Sequence, residues 1–246
     1  MAWIAPAVAR DSRVCVYDRA GRGWSDAADG PLDSAQTAAD LHTLLDRAHI
    51  PGPYVLAGHS FGGLYILTFA ATYPDEVAGM VLLDSTAPAA APAPSTTKPG
   101  SYDFLGRISA LLPAVAHLGG ARLVGQFSYG SLPLRARDEA RARSAGASYV
   151  GSYINEFREG ATAVQQAASL VDLAGKPLIV VTAGREHDGA WLAAQDKLAT
   201  LSTNSRHRVV VNATHASLLL DETDAAAASQ AIRDVVASVR TSSPLG

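Results

Sequence analysis

Apolar residues occur along this chain as short unbroken runs separated by stretches of helical spacing. Tyr54 to Ala57, Met80 to Leu83 and Pro177 to Thr182 are continuous runs rather than alternating ones. Runs of that kind suit parallel strands buried on both faces. Val14 to Tyr17 and Arg208 to Val211 are two further predicted strands. Between the runs lie predicted helices: Trp3 to Ala9, a stretch carrying Leu41, Leu44, Leu45 and Ala48, then Leu64 to Thr72, Trp191 to Leu201 and Asp224 to Val239. Asp33, with Gln36 three positions on, has the pattern of a capping box opening the second of these, and Pro51-Gly52-Pro53 stops it. Strands alternating with helices predict an α/β fold, a doubly wound and mostly parallel sheet. Thr86 to Gly100 is a Pro/Ala/Ser/Thr-rich linker, and 102–170 shows helical spacing without a convincing strand. The expected division is a core of 1–85 and 171–246 with a helical insertion at 86–170.

Composition narrows the class. Residues of the hydrophobic set make up 48% and charged residues 17%, with a net charge of -3. Disorder needs the opposite balance. No basic stripe suggests nucleic acid. Cys15 is alone, so neither an internal disulfide nor a cysteine metal cluster is expected. With no signal-peptide pattern and no apolar run of spanning length, a soluble cytoplasmic chain is expected.

Gly58-His59-Ser60-Phe61-Gly62 fits the G-x-S-x-G pattern and sits between an apolar strand and an apolar helix. In that setting a strained turn lifts the serine hydroxyl out at the carboxyl edge of the sheet, and side chains two residues before and after would clash. The Phe61 N–H then becomes a candidate oxyanion donor. Serine alone is a weak nucleophile and needs a base. Of the seven histidines, His42, His49, His117 and His207 lie on predicted helices, in the insertion or in a charged run, and His59 reads as a neighbour of the turn. His215 follows the last strand across Asn212-Ala213-Thr214, on a loop leaving the carboxyl edge, where ligands gather in open α/β sheets. It is the candidate base. For the acid that orients it, Asp188 is the first choice, on the loop after the strand ending at Thr182. Glu186 on the same loop and Asp84 at the end of the preceding strand are alternatives. Gly21-Arg22-Gly23 lacks the third glycine and the lysine of phosphate-binding loops.

Together Tyr17-Asp18-Arg19-Ala20-Gly21-Arg22-Gly23-Trp24-Ser25, Gly58-His59-Ser60-Phe61-Gly62-Gly63 and Asn212-Ala213-Thr214-His215 resemble the α/β-hydrolase superfamily, in its serine esterase-like branch. The resemblance implies hydrolysis of an ester or related acyl compound without a cofactor or metal. It implies Ser60 as nucleophile, His215 as base, and a helical cap at 86–170. Phe104, Leu111, Leu112, Phe127 and Tyr129 of that cap suggest a small, apolar acyl substrate. No nucleic-acid or membrane partner is expected. A non-catalytic binding protein of the same fold, and acyltransferase or peroxidase-like use of the same residues, are the alternatives. The superfamily also carries several strands and a His-Gly loop, source of the second oxyanion donor, ahead of the segment matching Trp3 to Ala9. The chain is therefore expected to be N-terminally shortened, a poorly stable or inactive fragment of a parent that could carry an anchor.

Overall fold

A computed structural model describes residues 1–27, 30, 32–88, 129–144, 147–185 and 187–246. The strands are β1 (Tyr54–His59), β2 (Val77–Leu83), β3 (Leu178–Ala183) and β4 (Ser205–Val210). The helices are α1 (Ile4–Val8), α2 (Ser34–Arg47), α3 (Phe61–Thr72), α4 (Leu134–Ser144), α5 (Ala147–Arg158), α6 (Gly160–Ala167), α7 (Gly189–Ala199), α8 (Ser217–Leu220) and α9 (Glu222–Thr241). Two compact units form. One holds Met1–Val16, Ser34–Ala91 and Ala161–Gly246, the other Tyr17–Asp33 and Pro92–Gly160.

In the first unit the four strands lie in the order β1-β2-β3-β4, every neighbour parallel. Successive residues of a strand point to opposite faces, and both faces are apolar here. Met80, Leu82, Leu178 and Val180 join a core with Leu64, Leu67 and Phe69 of α3 and Ala38 and Leu45 of α2. Val81, Leu83, Ile179 and Val181 join a second core with Ile4 and Val8 of α1 and Ala225, Ala228, Ala231, Ile232 and Val235 of α9. That is the doubly wound arrangement, and it explains the unbroken apolar runs. Each fully buried aliphatic side chain contributes about 1.5–3 kcal/mol.

Small residues let α9 approach closely. Ala225, Ala228 and Ala231, at three-residue spacing, form part of its buried stripe, and a Cβ at Gly79 of β2 would strike Val235 and crowd Pro177. Asp221 caps the helix by accepting from the Thr223 and Asp224 N–H groups. The predicted helix 224–239 is thus extended at both ends.

Two expectations change. Val14 to Tyr17 is not a strand: Val16 is 59% exposed, and the run pairs with no described strand. An apolar run of four residues carries too little information to separate a strand from an extended loop. At the other end of the predicted insertion, Ala163 and Ala167 pack in the α2/α3 core, so residues 161–167 belong with the sheet. Most of the predicted cap, 89–128, including Phe104, Leu111, Leu112 and Phe127, lies outside the described residues.

In the second unit the described residues of 129–160 include α4 and α5. Its turn at Asp18 to Ser25 is tied to α4 and α5. The Asp18 carboxylate accepts from the Trp24 N–H (3.1 Å) and from Arg143 (3.2 Å). Gly23 has φ +55°, and a Cβ there would collide with the Asp18 carboxylate. Glu156, 6% exposed, pairs with both Arg19 and Arg22, and the Arg22 guanidinium lies 5.0 Å from the Tyr149 ring centre.

Candidate active site

Because the sheet is parallel throughout, its register lines up the strand ends. His59 pairs with Leu83, Leu83 with Val181, and Ala183 with Val210. Ser60, Asp84 and the loops beginning at Gly184 and Val211 therefore leave from one edge, where ligands bind in such sheets.

Ser60 joins β1 to α3 with φ 55° and ψ -125°, a sparsely populated region costing about 1–3 kcal/mol. Backbone hydrogen bonds hold it there. Its N–H donates to the Leu83 carbonyl (3.1 Å), and its carbonyl accepts from Gly63 (3.0 Å) and Thr86 (3.2 Å). A Cβ at Gly58 would strike the Gly62 backbone, as the pattern requires. A Cβ at Gly62, however, would meet no described atom within 4 Å, and the tight glycine is Gly63, against Ser85. Phe61 opens α3, at the positive end of the helix dipole.

The histidine expected to act as base is held by an aspartate, but not the one favoured from chain order. His215 Nδ1 lies 2.5 Å from Asp84 Oδ2. Asp188 instead is the N-cap of α7, its Oδ1 accepting from the Trp191 N–H at 2.9 Å. Glu186 lies outside the described residues. Asp84 is wholly buried, with φ 42°, a left-handed conformation that aspartate tolerates better than most residues. Its N–H donates to the Val181 carbonyl (2.6 Å), which turns the side chain across the end of β3.

Four donors surround the Asp84 carboxylate. Trp191 Nε1 (3.1 Å) and the Ala183 N–H (3.2 Å) donate to Oδ1. His215 Nδ1 and His187 Nε2 (2.7 Å) both lie on Oδ2. Burial is the largest influence on this carboxyl and would raise its pKa, but the hydrogen bonds from His215, His187 and Trp191 outweigh it and hold the pKa below the usual carboxylate range. The group is ionised at neutral pH. His187 stacks on Trp191 with 4.5 Å between ring centres. Neither was singled out from sequence as a site residue. Their signal is position alone, on the loop after β3, since aromatic and histidine residues there have many ordinary uses.

His59 completes the arrangement. Its Nε2 lies 2.9 Å from the His215 carbonyl oxygen, and the two rings are 4.3 Å apart. The residue beside Ser60 thus anchors the loop bearing His215. The β3 and β4 loops are tied as well: Gly184 N–H donates to Val210 and Arg185 N–H to Ala213, each at 2.9 Å. Burial first, and the neighbouring His215 second, push the His59 pKa from 6.5 to about 4. His59 is neutral at pH 7 and, facing a carbonyl, carries its proton on Nε2. Between about pH 4 and 6.5 the unfolded chain binds this proton more readily than the folded one, so folding stability rises with pH across that window. His59→Gln is expected to flatten the fall in melting temperature between pH 7 and pH 5, as read by thermal denaturation at both pH values.

A strained serine at a strand-to-helix turn and a His–Asp pair on the same carboxyl edge of a doubly wound sheet define a hydrolase-type α/β protein. The family model described as alpha/beta hydrolase fold matches residues 2–222, and the chain belongs to that family. An uncharacterized protein of Schizosaccharomyces pombe is 32% identical over 228 residues, covering 89% of this chain but 41% of that protein's length. Lipase LipV of Mycobacterium tuberculosis is 45% identical over 72 residues, 29% of this chain and 26% of the lipase. A thermophilic esterase from Thermogutta terrifontis has the same fold, with a TM-score of 0.62, 21% identity, and coverage of 97% of this chain and 86% of that one. The matched stretch thus spans less than half the length of these curated relatives. Among the described residues no helix is long and apolar enough to cross a membrane.

Proposed function

We propose that this chain is a serine hydrolase of an ester or related small acyl compound. Ser60 is the nucleophile, His215 the base and Asp84 the orienting acid. The observation that carries the reading is the bond from His215 Nδ1 to the buried, ionised Asp84. With Nδ1 protonated and engaged, the neutral ring keeps its lone pair on Nε2, where it can accept the Ser60 proton as Oγ attacks the acyl carbon. The imidazolium that forms is stabilised by Asp84. The Phe61 N–H and the α3 dipole favour the oxyanion. Collapse of the tetrahedral intermediate expels the alcohol, protonated by His215, and water then releases the acid by the same steps in reverse.

The apolar residues read in segment 86–170 favour an apolar acyl or alcohol group. Turnover of p-nitrophenyl esters of increasing acyl length tests both parts of the proposal. Release of p-nitrophenol with stoichiometric free acid is expected, and kcat/KM should rise from acetate to medium-chain esters. No turnover of any ester would contradict the hydrolase reading, and a preference for acetate would contradict the apolar one.

A further inference from the structure

Asp84 Oδ2, His187 Nε2 and His215 Nδ1 come from three different loops, after β2, β3 and β4, and lie within 4.8 Å of one another. Two imidazole nitrogens and one carboxylate oxygen are the donor set of a zinc site, and unlike an all-oxygen set they do not suit magnesium or calcium. We propose that these three residues form a binding site for a borderline transition-metal ion such as Zn²⁺, and that its occupancy switches the hydrolase off.

The geometry needs little adjustment. Tetrahedral zinc with bonds of about 2.0–2.2 Å sets its ligand atoms about 3.4 Å apart. The two histidine nitrogens stand 2.5 and 2.7 Å from Asp84 Oδ2, so each must withdraw from it by roughly 1 Å or less, and the two nitrogens, within 4.8 Å of one another, must take up the same spacing. The His215 side chain is 37% exposed and that of His187 13%, and this exposure supplies the entry path. The carboxylate stays in place. Its other oxygen is held by Trp191 Nε1 and the Ala183 N–H, the kind of outer support that orients metal ligands. Stacking on Trp191 fixes the plane of His187. Three protein ligands leave a fourth position for water.

Inhibition follows from the proton on His215. A metal-bound Nδ1 carries no hydrogen, so the neutral ring must hold its proton on Nε2. The same shift puts the His187 proton on Nδ1. No proton is released overall when both rings start neutral, but Nε2 of His215 becomes a donor and can no longer accept from Ser60. Substrate turnover and metal binding thus compete for the two tautomers of one ring.

The inhibitory half of the proposal rests on the triad reading above, while the binding half does not, and the two are tested separately. Zn²⁺ at buffered free concentrations is added to the wild type and to His187→Gln, each rate being taken relative to that protein's own metal-free rate. Wild-type turnover is expected to fall and to recover with EDTA. The half-inhibitory zinc concentration should be at least about tenfold higher for His187→Gln, in line with the affinity lost when a metal site is incompletely supported. Equal zinc sensitivity of the two proteins overturns the proposal. Binding is read without catalysis by titrating Co²⁺ into Ser60→Ala and recording the visible absorption of low-coordinate cobalt. A saturable band is expected, lost when His187→Gln is added. No band, or a band that survives that change, overturns the site. A saturable, His187-dependent band in a protein that hydrolyses no ester would leave the metal site standing and sink the hydrolase reading.

Discussion

Ser60→Ala is expected to lower kcat for ester hydrolysis by about 10⁴-fold or more, to the level left by binding and oxyanion stabilisation alone. KM should change far less, because the hydroxyl is consumed in the covalent step and contributes little to holding the ground state. Folding should survive. Ser60 is held by backbone bonds to Leu83, Gly63 and Thr86, none of which involves its hydroxyl, and alanine at the same strained φ and ψ bears a comparable cost. Steady-state kinetics on the two proteins, with thermal denaturation as a control, check this. A loss of only a few-fold would mean that Ser60 is not the nucleophile.

Asp84→Asn is expected to lower kcat by about 10³–10⁴-fold. The amide replaces a carboxylate that both fixes the His215 tautomer and stabilises its cation. An NH₂ turned toward His215 Nδ1 would favour the proton on Nε2, the wrong nitrogen for a base. Asp188→Ala provides the contrast. It removes the cap of α7 and should cost about 1 kcal/mol of stability, with kcat within a few-fold of the wild type. The pair of variants separates the two aspartates by size and by kind of effect. Large loss of kcat in Asp188→Ala with near-normal Asp84→Asn would reverse the assignment.

That reversed assignment is the one chain order favours, whereas His215 Nδ1 lies against Asp84, and the reason for the difference is physical. Asp84 and Asp188 both follow strand ends at the same edge, and both are within a few residues of a turn. What decides between them is side-chain direction, which depends on the positive φ of Asp84 and on its N–H bond to Val181, neither of which has a composition or spacing signal. The same limit hid His187 and Trp191, whose role comes from meeting Asp84 across 103 and 107 residues of chain. The sheet was far more legible. Unbroken apolar runs such as Met80 to Leu83 and Pro177 to Thr182 face two cores at once, so their pattern is plain. Val14 to Tyr17 has the same residue types but pairs with no described strand. Ser60 was legible because the strand-to-helix turn leaves no room for a Cβ at Gly58, which would strike the Gly62 backbone, and a position that needs glycine is visible in sequence. The Gly62 position, equally prominent in the pattern, is not explained by crowding among the described residues.

The most direct test of Ser60 as a nucleophile activated by the His215–Asp84 pair is intact-protein mass spectrometry after treatment with a fluorophosphonate, followed by peptide mapping. A single stoichiometric adduct on Ser60 is predicted, forming at least about 10³-fold more slowly in Asp84→Asn, by the same loss of base activation. No adduct on the folded wild-type chain, or one on a residue other than Ser60, would contradict it.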